Sequence, residues 1–99
     1  MPTLFIVDLT YQVPLESVEP HMAEHMRFLE CGYADGLFIA SGRKVPRTGG
    51  VILARAASRE ALEAFLENDP FKRHGIAAVV VTEMVPGRWA PELNGLFAA

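Results

Sequence analysis

The sequence lacks the features that mark several large classes of protein. It has a single cysteine, Cys31, in 99 residues, which excludes an internal disulfide and a cysteine-based metal site. No apolar run approaches the roughly 20 residues that span a bilayer. The first residues also lack the basic start and small-residue cleavage site of a secretory signal. We therefore expect a cytoplasmic protein that has no membrane partner.

Concentrated positive charge is missing as well. Nine Lys and Arg residues are scattered among twelve Asp and Glu residues, and the formal net charge is −3. Surfaces that bind nucleic acid need clustered cations to neutralise phosphates, so we expect no nucleic-acid partner. The local group of Arg43, Lys44 and Arg47 lies in a glycine-containing loop that has no dinucleotide or P-loop signature. We expect no cofactor, and we interpret these cations as a solvated loop or as a contact for an anionic substrate.

Apolar residues are abundant enough for one core. They make up 51% of the chain, against 21% charged residues. A length of 99 residues leaves room for one domain only. We expect a single domain over residues 1–99, with its core at about 3–86 and an apolar tail at 87–99.

Hydrophobic periodicity predicts the element order β-α-β-β-α-β. The predicted elements are a strand at Thr3–Tyr11, a helix ending near Ala34, strands at Leu37–Ser41 and Val51–Ala56, a helix from Arg59 to about Asn68, and a strand at Ile76–Val85. The first helix begins either at a cap on Ser17 or at a turn from Pro14. This order is typical of the α+β, ferredoxin-like fold, an antiparallel sheet with two helices on one face.

The second face of that sheet is also apolar, since Val51 and Leu53 alternate with Ile52 and Ala54. A monomer would expose a larger apolar surface than soluble proteins usually tolerate. We therefore predict a homodimer that packs through the open sheet face, with the tail as a further candidate contact.

A histidine interrupts the apolar stripe of the first helix. At about 100° per residue, an arc about 100° wide contains Val18, Met22, His25, Met26, Leu29 and Tyr33. A polar ring that faces a core needs a partner, because an unpaired buried polar group costs about 1–3 kcal/mol. The predicted topology brings the start of this helix to the same end of the sheet as the Asp69-Pro70-Phe71 corner.

We therefore predict His25 and Asp69 as an acid-base pair, in which the carboxylate fixes the tautomer of the ring. Two structural interpretations stay open: a core His25 bonded to a backbone carbonyl, and an Asp69 that caps a helical turn. His21 and His25 have a spacing that can bind zinc, with Asp69 or His74 as a third ligand. The glutamate of an HExxH motif is missing, so we predict no metal.

Five segments in order resemble the YciI-like (YCII-related) family over about residues 3–86. They are His25-Met26-Arg27-Phe28-Leu29, Gly36-Leu37-Phe38-Ile39-Ala40-Ser41-Gly42, Pro46-Arg47-Thr48-Gly49-Gly50-Val51-Ile52, Asp69-Pro70-Phe71 and Gly75-Ile76-Ala77. The resemblance implies a dimeric α/β barrel whose active site uses His25 and Asp69, with Ser41 and Gly42 at the lip of the pocket. Arg43 stands where many family members carry proline.

The same resemblance implies cofactor-free proton transfer of the lyase, isomerase or dehydrochlorinase type on a small anionic or enolisable metabolite. The substrate-binding residues that we expect are Ser41, Gly42, Arg43, Arg47 and Phe71. The alternative is a non-catalytic ligand-binding or accessory oligomeric module that uses the same pocket.

Overall fold

Four antiparallel strands carry helices on one face in the computed structural model, which describes residues 3–98. The elements are β1 (Thr3–Tyr11), α1 (Leu15–Val18), a 3-10 turn (Glu19–His21), α2 (Met22–Ala34), β2 (Phe38–Arg43), β3 (Gly49–Ala56), α3 (Arg59–Leu66), α4 (Pro70–Arg73), β4 (Ala77–Met84), a second 3-10 turn (Pro91–Leu93) and α5 (Asn94–Phe97). The strand order is β2-β3-β1-β4, and all neighbouring strands are antiparallel. The predicted ferredoxin-like α+β fold is confirmed.

The two faces of the sheet differ in burial. Phe5, Val7 and Leu9 of β1 point towards the helices and are at most 3% exposed. On the opposite face, Val80 and Met84 of β4 are 62% and 42% exposed. Period-two alternation therefore places one apolar set in the core and leaves the other uncovered in the single chain.

The first helical region is not the continuous helix that we predicted. Pro14 is the N-cap of α1, and a 3-10 turn at Glu19–His21 separates α1 from α2. Pro20 lies in this turn, where a missing N–H and the bulk of the ring oppose a regular α-helix. Of the two starts considered, the turn from Pro14 is correct, and Ser17 is not the cap.

The buried side of α2 is rotated from the predicted stripe. Met26 and Tyr33 are 51% and 42% exposed, whereas Phe28 and Gly32 are buried. The reason is Phe38 on β2, whose ring packs edge-on against Phe28 at 5.7 Å. A Cβ at residue 32 would overlap that ring, so glycine lets the helix approach the sheet.

The β2–β3 hairpin is longer than predicted. Its ladder continues to the Arg43 and Gly50 pair, so β2 ends two residues beyond Ser41 and β3 begins at Gly49 instead of Val51. Arg43 therefore belongs to a strand and not to the loop. The second helix ends at Leu66, two residues earlier than predicted, because the chain turns there towards α4.

The tail folds back on itself. The indole N–H of Trp89 donates to Asn94 Oδ1 at 2.8 Å, and the Trp89 ring lies 5.7 Å from that of Phe97. Between residues 3 and 98, the chain forms no helix with the length and hydropathy that a bilayer crossing requires.

Candidate active site

A buried histidine and a buried aspartate meet between α2 and the start of α4. His25 Nδ1 lies 2.9 Å from Asp69 Oδ1, and the two residues are 9% and 1% exposed. An ionised carboxylate can only accept, so Nδ1–H donates, and in the neutral ring the free lone pair is on Nε2. The two residues that we predicted as neighbours therefore lie in contact, and the carboxylate favours the tautomer that has its proton on Nδ1.

The same aspartate also begins α4. Asp69 Oδ1 accepts from the Phe71 backbone N–H at 2.9 Å, which makes it the N-cap, and Pro70 occupies the first helical position. The Phe71 ring lies on the His25 ring at a centroid distance of 3.9 Å and an angle of 3°. Asp69 Oδ1 therefore fixes the position of both His25 and the Asp69-Pro70-Phe71 corner. Stacking on Phe71 fixes the plane of the imidazole ring.

His25 borders a cavity of about 490 Å³ between α2 and the β1–β3 end of the sheet. This volume lies within the range of small-molecule sites. Most of the walls are apolar, and the lining comprises Leu9, Tyr11, Met22, His25, Met26, Leu29, Ser41, Gly42, Arg43, Arg47, Gly49, Gly50, Val51, Ile52 and Phe71. All the predicted binding residues line this cavity, whereas Asp69 stands behind His25.

Two glycines let the hairpin form part of the wall. A Cβ at residue 49, where φ is +156°, would overlap the Leu9 carbonyl oxygen, and one at residue 50 would lie 3.0 Å from the Gly42 carbonyl oxygen. A side chain at residue 49 would displace the backbone of β1, and a side chain at residue 50 would fill the space beside the backbone of β2.

The three cations of the hairpin have different environments. Lys44 pairs with Asp8 and donates to Thr10 Oγ1 at 3.0 Å, on the open face of the sheet. Arg47 Nη2 lies 2.9 Å from Glu19 Oε1. Within residues 3–98, Arg43 makes no ion pair, and its exposed side chain lines the cavity. Arg43 is therefore the cation available to an anionic ligand.

Arg47 links the β2–β3 hairpin loop to Glu19, at the start of the first helical region. The neighbouring Tyr11 side chain and then Glu19 raise the pKa of Arg47 above its ordinary value. Arg47 thus stays charged and holds the loop against the start of the first helical region.

The hydroxyl of Ser41 is already hydrogen-bonded within the protein. Its Oγ lies 2.8 Å from the Tyr33 hydroxyl, at the end of the cavity away from Arg47. The pair retains one further donor, which a ligand at this end can use.

The other two histidines form a separate pair outside the cavity lining. The rings of His21 and His74 lie 4.8 Å apart and are tilted by 30°. The described part of the chain contains no group of three or more metal-ligating side chains. His74 does not approach His25 as a third ligand, and the zinc arrangement that we considered is not formed by these residues.

Sequence reasoning missed some of the lining. Tyr11, Met22 and Leu29 were not among the binding residues that we predicted, but all three border the cavity. The available signal was the alternation of β1, because Tyr11 shares the helix-facing side with Leu9 and follows it at the end of the strand. The bond between Arg47 and Glu19 had no comparable signal, since it depends on the path of the loop.

Comparison with known proteins assigns the chain to a family. The fold and cavity define an α+β domain of ferredoxin-like topology with a site between helix and sheet. The family model for the YCII-related domain matches residues 4–85, and the chain belongs to this family. No curated protein matches the sequence significantly.

A solved structure shares the fold. It is the 5-chloro-2-hydroxyhydroquinone dehydrochlorinase TftG from Burkholderia phenoliruptrix AC1100, in complex with 2,5-dihydroxybenzoquinone. The TM-score is 0.69 at 24% identity, covering 88% of this chain and 93% of that chain. At this level of identity, the likeness establishes the common fold.

Proposed function

We propose that this protein is a small-molecule enzyme in which His25 transfers a proton and Asp69 orients it. The observation that carries the proposal is the 2.9 Å bond between two buried side chains, one of which borders a cavity of about 490 Å³. A structural bond needs no adjoining cavity, whereas a general base needs ligand access to its free nitrogen. His25 borders the cavity while its Nδ1 is bonded to Asp69, which supports Nε2 as the nitrogen open to a ligand.

The proposed reaction is a lyase, isomerase or dehydrochlorinase-like proton transfer on a small oxygenated metabolite. Apolar walls suit a compact carbon skeleton, and Arg43, which forms no ion pair with any other residue of the range 3–98, favours a substrate with negative charge. Ser41 and Gly42 would bind the substrate beside Arg43, with Arg47 and Phe71 at the other end. A dehydrochlorinase with this fold, TftG, agrees with such chemistry.

The test is a turnover screen with matched variants. A panel of enolisable ketones, lactones and chlorinated hydroquinones is followed by NMR in deuterated water, which reports both product and deuterium incorporation. We expect the wild type to convert at least one compound, and His25→Gln to lower the rate by about 100-fold or more, the scale of general acid-base catalysis.

Two variants sharpen the screen. Asp69→Asn keeps an oxygen acceptor but removes the charge, so we expect an intermediate loss of rate with an intact fold. His74→Gln is the control, since its ring is exposed and outside the lining. Equal turnover in His25→Gln and wild type would refute the acid-base role. Ligand binding without turnover in the wild type would instead support the binding-module alternative.

The proposed assembly is a homodimer through the open sheet face. Its support is the exposure of Val80 and Met84 on a face that also carries Leu4 and Ile6. We expect light scattering after size-exclusion chromatography to give a dimer, and Val80→Glu to give a folded monomer. A wild-type monomer at micromolar concentration would contradict the dimer and leave the acid-base proposal standing.

A further inference from the structure

A tyrosine of α2 is hydrogen-bonded to a serine in the wall of the cavity. Tyr33 belongs to the last turn of α2 and does not line the cavity, whereas Ser41 of β2 does. Their hydroxyl oxygens are 2.8 Å apart. A ligand in the cavity can therefore reach the Ser41 hydroxyl, and the Tyr33 hydroxyl can act on that ligand only through Ser41.

Local packing brings the Tyr33 hydroxyl to β2. Gly32 lets the helix approach Phe38, and the Tyr33 ring meets Phe38 edge-on at a centroid distance of 6.0 Å and an angle of 88°. Gly36, which has a φ of +74°, reverses the chain after α2, and its N–H donates to the Tyr33 carbonyl at 3.0 Å. The ring and the backbone of Tyr33 are both held, so its hydroxyl meets Ser41 in a defined position.

A ligand that only accepts hydrogen bonds determines the direction of this bond. Each hydroxyl group can donate one hydrogen bond. A carboxylate at Ser41 would take the single donor of the serine, so the bond between the two hydroxyls would run from Tyr33 to Ser41. A hydroxyl that accepts one hydrogen bond becomes a stronger donor of the next. Tyr33 would therefore both orient Ser41 and strengthen its bond to the ligand.

Arg43 adds a positive charge beside the Ser41 hydroxyl. The two residues are two positions apart on β2, so their side chains leave the same face of the sheet, roughly 7 Å apart along the strand. They lie opposite Ile52 and Gly50 of β3, and all four residues line the cavity. Gly50 has no side chain to occupy the space around the guanidinium. A planar guanidinium and a hydroxyl donor together match the two oxygens of a carboxylate.

The other arginine of the lining is already paired with a carboxylate. Arg47 Nη2 lies 2.9 Å from Glu19 Oε1. Arg43 forms no ion pair within the part of the chain that the structure describes, residues 3–98. Of the two arginines, Arg43 is therefore the one whose charge is left to a ligand, which suits a ligand that carries a single negative charge.

We infer that the cavity binds a small monocarboxylate through Arg43 and Ser41, and that Tyr33 positions the Ser41 hydroxyl. The inference rests on the proposed function, because it names the substrate class of the site that contains His25. Tyr33 is a positioning residue, since its hydroxyl acts through Ser41. The carboxylate of the substrate lies against β2, and the carbon that exchanges a proton lies towards His25 on α2.

The experiment compares a carboxylate with a neutral group of the same shape. The probes are benzoate and nitrobenzene, which have planar end groups of similar size but differ in charge. Dissociation constants are measured by NMR titration with the wild type, Ser41→Ala, Tyr33→Phe and the double variant. Ser17→Ala, which removes an exposed hydroxyl outside the lining, is the control.

We expect the wild type to prefer benzoate, and Ser41→Ala to weaken benzoate binding by about tenfold, the scale of a hydrogen bond to a charged group. Tyr33→Phe should weaken it by about threefold, because Ser41 keeps its donor but loses the bond that orients and polarises it. The double variant should match Ser41→Ala within about twofold, because Tyr33 acts through Ser41. Nitrobenzene affinity should stay unchanged in every variant, which reports an intact cavity, and Ser17→Ala should bind both probes as the wild type does.

Several results would overturn the inference. Losses that add in the double variant, an equal loss for both probes in Tyr33→Phe, or no loss in that variant would contradict the positioning role of Tyr33. A wild type that binds benzoate no more tightly than nitrobenzene, including one that binds neither, would contradict the carboxylate site.

The turnover screen separates this inference from the proposed function. If neutral compounds are converted in a reaction that His25→Gln abolishes while benzoate shows no preference, the carboxylate site falls and the acid-base role stands. If the benzoate preference and its dependence on Ser41 and Tyr33 hold while no compound is converted, the ligand class stands and the acid-base proposal fails.

Discussion

The two walls of the cavity are built differently. On the helix wall, His25 and Asp69 are 9% and 1% exposed and are joined by a short hydrogen bond. On the hairpin wall, the Arg47 side chain is 34% exposed and Arg43 is open to solvent. A buried pair holds a ring in the fixed position that proton transfer requires, whereas exposed cations attract and select charged ligands. Stability and chemistry should therefore depend on the helix wall, and charge preference on the hairpin wall.

The largest expected effect is that of Asp69→Ala, which removes both bonds made by Oδ1. We expect the free energy of unfolding to fall by about 3 kcal/mol, because a buried imidazole and the first turn of α4 lose their acceptor together. Urea denaturation measures the change. Asp35→Ala, an exposed aspartate at the end of α2, is the control and should cost at most about 0.5 kcal/mol. Similar losses in the two variants would show that the helix wall is not specially stabilised.

Gly49, at the base of the hairpin wall, should tolerate substitution less well than the exposed residues of that wall. Gly49→Ala directs a Cβ at the Leu9 carbonyl oxygen, and we expect a loss of about 2 kcal/mol in the free energy of unfolding. Thermal denaturation followed by circular dichroism compares it with Gly87→Ala, whose Cβ meets no atom within 4 Å. If Gly49→Ala proved as stable as Gly87→Ala, the hairpin would not be held against β1 as described.

The smallest effect on stability should come from the exposed cation of the hairpin wall. Arg43→Gln should change the free energy of unfolding by less than about 0.5 kcal/mol but weaken benzoate binding by about fivefold, since an exposed ion pair contributes up to about 1 kcal/mol. Calorimetry at low and high salt measures the binding, and the difference from the wild type should shrink as salt screens the charge. Arg88→Gln, outside the lining, is the control. A salt-independent loss would contradict a role based on charge.

Much of the fold follows from local pattern. The alternation of β1 predicted both of its ends correctly, and α3 begins at Arg59 as predicted. The Ser58 hydroxyl caps this helix by accepting from the Ala61 N–H at 3.1 Å. Local pattern did not predict the position of the buried arc on α2, because this position depends on the contact between Gly32 of the helix and Phe38 of the sheet. Such a contact has no periodic signature in the chain.

The site also contains residues whose positions the sequence predicts and residues whose contacts it does not predict. The topology alone brought His25 and the Asp69 corner to one end of the sheet, since each belongs to an element whose direction the strand order determines. The ion pair of Arg47 with Glu19 and the proximity of Arg47 to Tyr11 depend on the path of one loop at the edge of the cavity. Loop paths are set by the sum of many weak contacts, so these partners became visible only in three dimensions.

Long-range proton–nitrogen NMR of the histidine rings would test the His25–Asp69 pair itself. We expect that neutral His25 carries its proton on Nδ1, that this proton exchanges slowly with water, and that Asp69→Ala removes the signal. His74, which is exposed, should show the exchange-averaged ring of a solvated histidine. A His25 ring that carries its proton on Nε2, or that exchanges as fast as His74, would contradict the acid-base pair on which the proposed chemistry rests.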